Sequence, residues 1–117
     1  MQDFHNLLVW QKSHQLVLQV YRVSRDFPRD ELYGITSQMR RAAVSVPSNI
    51  AEGCGRGSDA DFGRLLVIAM GSSSELEYQL LLSRDLGYVD TMLHQSLDEK
   101  IKEVKRMLSS LIQRVQK

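Results

Sequence analysis

Three histidines, one cysteine and a run of alternating glycines are the residues of this chain with the clearest chemical potential. His5, His14 and His94 stand far apart, and none has a second histidine or cysteine at metal-ligand spacing. A di-iron centre in a helical bundle needs Glu-x-x-His pairs, yet the residue three before His94 is Thr91 and three before His14 is Gln11. Cys54 has Arg56 close by, a cation that lowers a thiol pKa, but no general base accompanies it. Gly53, Gly55 and Gly57 resemble a phosphate cradle only superficially. Phosphate loops follow a strand and feed a helix N-terminus, whereas this run follows a helical pattern. The glycines read instead as a helix cap and turn that use positive φ. No catalytic residue, metal site, cofactor or small-molecule substrate is expected, and the chain reads as a non-enzyme.

Charge is the remaining chemical feature. From Lys100 to Lys117 there are six basic residues and only Glu103 to oppose them. Lys102, Lys105 and Arg106 lie opposite an apolar stripe, with Lys117 nearby, and Arg41 belongs to an Arg40-Arg41 pair. Such a cluster suits phosphate neutralisation on a nucleic acid. Basic residues also favour helix C-termini without any function, so a solvated outer face is the competing reading.

The elements that must position these residues follow from length and patterning. The 117 residues fit one domain, 1–117, long enough for a core without metals or disulfides. The formal net charge of +1 excludes a bulk polycation. The single cysteine fits a reducing cytoplasm, no apolar run approaches a membrane span, and the acid in MQDFHNLL argues against an export signal. A cytoplasmic protein is expected. Breaks at Phe27-Pro28-Arg29-Asp30, Gly53 to Ser58 and Leu86-Gly87-Tyr88 predict four helices, at about 8–26, 30–54, 59–86 and 90–116. Connections this short join antiparallel neighbours, so the fold class is all-α, an up-down-up-down four-helix bundle.

Each predicted helix carries its own stripe. The first shows Val9, Ser13, Leu16, Val20, Val23 and Phe27, with Trp10, Val17 and Tyr21 forming a shoulder a quarter-turn away. The second shows Leu32, Ile35, Met39, Ala42, Val46 and Ile50, a series that passes through Pro47. Proline removes a backbone donor and crowds the preceding turn; because the stripe continues beyond it, a kink and not a termination is expected. The fourth is the cleanest, from Leu93 through Leu97, Ile101, Val104, Leu108 and Leu111 to Val115. The third has two apolar faces. Phe62, Leu65, Leu66, Ala69, Ser73, Leu76 and Leu80 trace one; Val67, Met70, Ser74, Tyr78 and Leu81 trace the other. A helix apolar on two sides is buried on two sides, and a four-helix monomer supplies cover for one. The second face, with the Trp10, Val17, Tyr21 shoulder, predicts an oligomer interface.

The run Glu31, Tyr33-Gly34, Gln38, Arg40-Arg41, Ser45, Pro47 and Asn49-Ile50-Ala51-Glu52-Gly53, preceded by Phe27-Pro28, resembles the family of the 23S rRNA intervening-sequence proteins. Trp10-Gln11, Phe62, Gly71-Ser72 to Glu75-Leu76 and Leu86-Gly87-Tyr88 extend the resemblance over nearly the whole chain. Its core is Ser45, Pro47, Asn49, Ile50, Ala51, Glu52 and Gly53. The resemblance implies an up-down-up-down bundle assembled as a homopentamer, without established enzymatic activity. Many members are encoded within insertions in large-subunit ribosomal RNA genes. A related accessory protein of diversity-generating retroelements partners a reverse transcriptase and nucleic acid. This chain departs from strongly basic relatives in being nearly neutral. Within the core, Asn49 is expected to serve the kinked backbone and Glu52 to meet an arginine such as Arg41, in the same or a neighbouring subunit.

Three functional readings follow. An oligomer binds RNA or a nucleoprotein partner through its basic surfaces; or the chain is a protein-assembly module without nucleic acid; or Gln38 to Glu52 forms a DNA-reading helix-turn-helix. The last is disfavoured because the apolar phase runs through Pro47 unbroken. Base readout also wants several polar side chains on the second helix, where only Asn49 and Arg56 follow the proline.

Overall fold

The computed structural model describes residues 2–116, and among them there are four α-helices and no strand. Helix α1 spans Leu8–Ser24, with Val9, Ser13, Leu16 and Val20 buried along one line. Its end comes before the Phe27-Pro28 step. The N–H groups of Asp26 and Phe27 donate to the carbonyls of Val23 and Ser24, tightening the chain into a turn. Phe27 is buried there, its ring 5.3 Å from that of Tyr88.

Helix α2 spans Ser37–Cys54 and starts later than the expected residue 30. Arg29–Glu31 form a 3₁₀ turn, and Leu32–Thr36 form a wide π turn in which Gly34 leaves helical geometry at φ −109°, ψ −121°. A distant partner meets the chain at this break. Glu31 accepts a 2.8 Å hydrogen bond from the Tyr88 hydroxyl, and its Oε1 sits 2.7 Å from where a Cβ on Gly34 would be. The extra residue in the π turn rotates what precedes it, so Leu32, expected in the core stripe, is 47% exposed. Beyond the turn Ile35, Met39, Ala42, Val46 and Ile50 are all buried, and the helix runs through the buried Pro47 without interruption.

Helix α3 spans Asp59–Asp85 and is capped by Ser58, whose hydroxyl accepts from the Asp61 N–H at 3.2 Å. Gly87, at φ +81°, ends it: the Gly87 N–H donates to the Arg84 carbonyl and the Tyr88 N–H to that of Ser83. This is the Schellman arrangement, which glycine adopts without steric cost. Gly53, Gly55 and Gly57 depart from the sequence expectation, since Gly87 is the one residue at positive φ among those described. What constrains Gly53 is proximity: a Cβ there would lie 2.7 Å from Phe62 Cδ1.

Helix α4 spans Thr91–Val115 and opens on Asp90, whose carboxylate accepts from the Leu93 N–H at 2.7 Å. Leu97, Ile101, Val104, Leu108 and Leu111 are buried. Extended backward with the same 3–4 spacing, that line lands on His94. His94 is therefore buried, and Leu93, expected in the stripe, is exposed.

The helices pack in a square. α1 lies against α2 and α4, and α3 lies against α2 and α4, leaving α1/α3 and α2/α4 as diagonals. Side chains from all four meet on the axis, where Val20, Met39, Ile50, Leu66, Leu76, Ile101 and Leu108 are almost completely buried. Each such side chain contributes about 1.5–3 kcal/mol of transfer free energy before entropic costs. The long dimension is 43 Å, about the length of α3 alone at 1.5 Å per residue.

Candidate functional site

The core of the recognised motif is built into the α2–α3 contact. Pro47 has no N–H to donate, so the Ala43 carbonyl lacks its helical partner. One turn away, Asn49 Nδ2 donates to the Ser45 carbonyl at 2.8 Å and to Ser45 Oγ at 3.0 Å. Ser45 Oγ in turn shares a 2.8 Å hydrogen bond with Ser72 Oγ of α3. Ile50 is fully buried, and Gly53 lets the Phe62 ring approach the α2 backbone. Glu52 is exposed and pairs with Arg56 at 3.4 Å, one turn on; Arg41, three turns back on the same helix, is not its partner within the chain. These residues hold two helices together and do not converge on a reactive centre.

Two of the surface grooves hold residues of the expected interface. One, of about 290 Å³, lies between α1 and α2 and is walled by Trp10, His14, Val17, Val44, Pro47 and Ala51. The Trp10 and His14 rings stack at 5.2 Å, and Phe4 closes the end edge-on to Trp10 at 4.8 Å. Near Tyr21, the Arg40 guanidinium lies 4.7 Å over the phenol ring, and its Nε donates to Ser24 Oγ at 2.9 Å. The other groove, of about 430 Å³, lies between α3 and α4, lined by Ser74, Tyr78 and Leu81 on one side and His94, Asp98 and Lys102 on the other.

The residues expected to form an oligomer interface divide between these two places. Val67, Ser74, Tyr78 and Leu81 are exposed on α3, Tyr78 by 59%, while Met70 is half-buried. Trp10 and Val17 are half-buried in the α1/α2 groove, and Tyr21 is exposed beside it. Since α1 and α3 are diagonal, one chain does not bring the two sets together. Reading the stripes missed the α2 wall, Val44, Pro47 and Ala51. The available signal was that Val44 and Ala51 lie off the core phase of α2 on the side facing α1.

The basic residues are likewise dispersed. Lys102 Nζ sits 2.9 Å from Asp98 Oδ2, and Lys105 Nζ sits 2.8 Å from Glu77 Oε1 on α3. The hydrogen bond to Asp98 raises the Lys102 ammonium above its ordinary pKa, so it stays charged and occupied. Arg106 and Arg41 are exposed and have no acidic partner among the described residues. Arg41 is on α2, diagonal to α4, so it shares no surface with the α4 cluster of its own chain. Lys117 lies outside the described residues.

Cys54 is buried and free, and burial pushes its thiol above the ordinary value. The expected lowering by Arg56 is overturned, because burial and then the Asp3 carboxylate act on the thiol, and the Arg56 guanidinium pairs with Glu52. Among the described residues no three of His, Cys, Asp or Glu gather at metal-binding distance. No helix is long and apolar enough to cross a membrane. No turn interrupts Gln38 to Glu52, which removes the geometric basis for a helix-turn-helix there.

The family profile described as 23S rRNA-intervening sequence protein matches residues 5–110. None of the curated proteins matches the chain significantly. Among solved structures, the chain is similar to a protein of unknown function from the S23 ribosomal protein family of Bacteroides thetaiotaomicron. That likeness has a TM-score of 0.84 and 25% identity, covering 90% of this chain and 98% of the other.

Proposed function

Because the chain belongs to the family of the 23S rRNA-intervening sequence proteins, we propose that it works by self-assembly, as a homopentameric ring of four-helix bundles that binds RNA or a nucleoprotein partner. Each subunit in this reading is one domain, an antiparallel up-down-up-down bundle bent at Pro47. Short connections support that topology, as do the meetings of helix ends with helix starts, Ser24 with Arg40, Gly53 with Phe62 and Gly63 with Val115. The protein acts by binding and not by catalysis, and it resides in the cytoplasm, a placement supported by its having a single cysteine, buried and in no disulfide.

One observation carries the assembly: the outward stripe of α3 leaves Val67, Tyr78 and Leu81 in solvent although α3 is buried along its whole inner side. Leaving such a stripe wet forgoes the gain of burying it, about 25 cal/mol for each Å² of apolar surface. Light scattering behind a sizing column is the test. The expected mass is five times 13.4 kDa; a single chain mass at micromolar concentration would overturn the reading.

Exposed Arg41 and Arg106 favour RNA as the ligand of the assembled form, since both are unpaired among the described residues and a ring repeats each of them. Binding of this kind is dominated by counterion release. Anisotropy titrations with a structured RNA at several salt concentrations are expected to give a steep log K against log salt. Arg41→Ala or Arg106→Ala should each lower the slope by about one, with smaller changes for the ion-paired Lys102 and Lys105. No binding at low salt would leave a protein-assembly module.

A further inference from the structure

We propose that the ring is closed by a single heterologous contact, in which the outward stripe of α3 from one copy seats in the α1/α2 groove of the next; this rests on the self-assembly proposed above. The square packing decides the geometry. The α1/α2 groove and the α3/α4 side lie on opposite flanks of the bundle, because each helix packs only against its two neighbours around the square. Two different patches on opposite flanks make a head-to-tail contact, which closes into a ring when the rotation allows. Shape agrees with this. The groove is concave and walled by Trp10, Val17, Val44 and Pro47, while the stripe projects Tyr78, the more exposed of its side chains, from the surface of α3.

Charge selects the occupant. Once side chains already in ion pairs are set aside, α1 and α2 keep Arg22, Arg40 and Arg41, and α3 keeps Asp59 and Glu75. A groove-to-groove dimer would set these arginines against their own copies, which costs free energy. The α3 stripe instead brings Glu75, one turn from Tyr78, toward Arg40, and leaves Arg41 to the nucleic acid proposed above. Arg40 makes this matter most. Its guanidinium is half-buried over Tyr21 with a serine as its hydrogen-bond partner, so covering the groove with anything lacking an acid would strip water from an uncompensated cation.

Complementation tests the arrangement. Val44→Asp blocks the groove, and Tyr78→Asp blocks the stripe, both at exposed positions; Ser48→Trp is a second groove block should Val44→Asp lose helix by circular dichroism. Each variant alone is expected at one chain mass. An equimolar mixture retains one intact groove and one intact stripe, so it is expected to give a species of twice 13.4 kDa and nothing larger. Trp10, the only tryptophan, reports from within the groove: the emission of the Tyr78→Asp protein should shift to the blue when the groove-blocked partner is added. A mixture that stays monomeric with unshifted emission overturns the inference, as does either variant keeping the wild-type mass, while wild type remains an oligomer. A monomeric wild type overturns the assembly itself.

Discussion

Replacing Gly53 by alanine sets two effects of opposite sign against each other, and the structure decides between them. In the last turn of α2, alanine gains up to about 1 kcal/mol over glycine from backbone entropy. Its Cβ, however, would lie 2.7 Å from Cδ1 and 3.3 Å from Cε1 of Phe62, whose ring is 5% exposed and has little room to withdraw. Overpacking of this kind costs about 1–3 kcal/mol, so the net expectation is a loss of about 1–2 kcal/mol. Urea unfolding followed by circular dichroism, at one fixed protein concentration because the proposed assembly would add to stability, should show the midpoint falling by about 0.5–1 M for a slope of about 2 kcal/mol/M. The sharper expectation is a reversal. Phe62→Val removes both δ carbons at a cost of about 2–3 kcal/mol, somewhat less than a change to alanine. In that background Gly53→Ala should become neutral or stabilising, giving a coupling energy of about 2 kcal/mol. Equal effects of Gly53→Ala in the two backgrounds, or a gain of stability beside Phe62, would refute the close-approach account of this glycine.

Three further expectations use other contacts. Asn49→Ala removes both bonds to Ser45 and should cost about 1–2 kcal/mol by the same urea assay, non-additively with Ser72→Ala because Ser45 links the two. Gly87→Ala meets nothing within 4 Å but must hold φ at +81°, so a loss of about 1–2 kcal/mol is expected from backbone conformation alone. The hydrogen bond to Glu31 holds the Tyr88 phenol above its ordinary value, which means the folded state favours the neutral phenol. The stability that wild type holds over Tyr88→Phe should therefore be constant below about pH 10 and vanish as pH rises through the folded-state pKa; an advantage unchanged in strong alkali would refute it.

What was legible in the sequence was what is local. The breaks at Gly53 to Ser58 and Leu86-Gly87-Tyr88 need only their own neighbours, and the stripes of α1 and α4 repeat over enough turns to fix their phase. The failures came where a partner lay far along the chain. The late start of α2 comes beside Glu31, which answers Tyr88 across 57 positions, and the role of Gly53 depends on a ring in the next helix. Positive φ was the natural reading of three alternating glycines, and proximity to Phe62 overrode it. The α4 cluster shows both cases. Asp98 four residues before Lys102 was readable as an ion pair, whereas Glu77, which takes Lys105, belongs to a different helix. A count of basic residues measures potential charge, and tertiary pairing sets how much of it remains for phosphate.

The Ser45 to Gly53 run in α2 and the groove wall occupy two sides of one helix. Ser45, Asn49 and Gly53 face α3 and fix the spacing of that contact through a serine pair and a ring packed on bare backbone. Val44, Pro47 and Ala51 face α1 and wall the groove. Pro47 lies in the same turns, buried among the inner residues while it forms part of the groove wall. A substitution on the α3 side therefore moves the groove without touching it. Asn49→Ala should weaken assembly by more than its own exposed area could explain, whereas Ser72→Ala, which leaves the bonds from Asn49 to Ser45 intact, should weaken it less. Assembly that is equally strong in both variants would separate the packing of α2 on α3 from the shape of the groove.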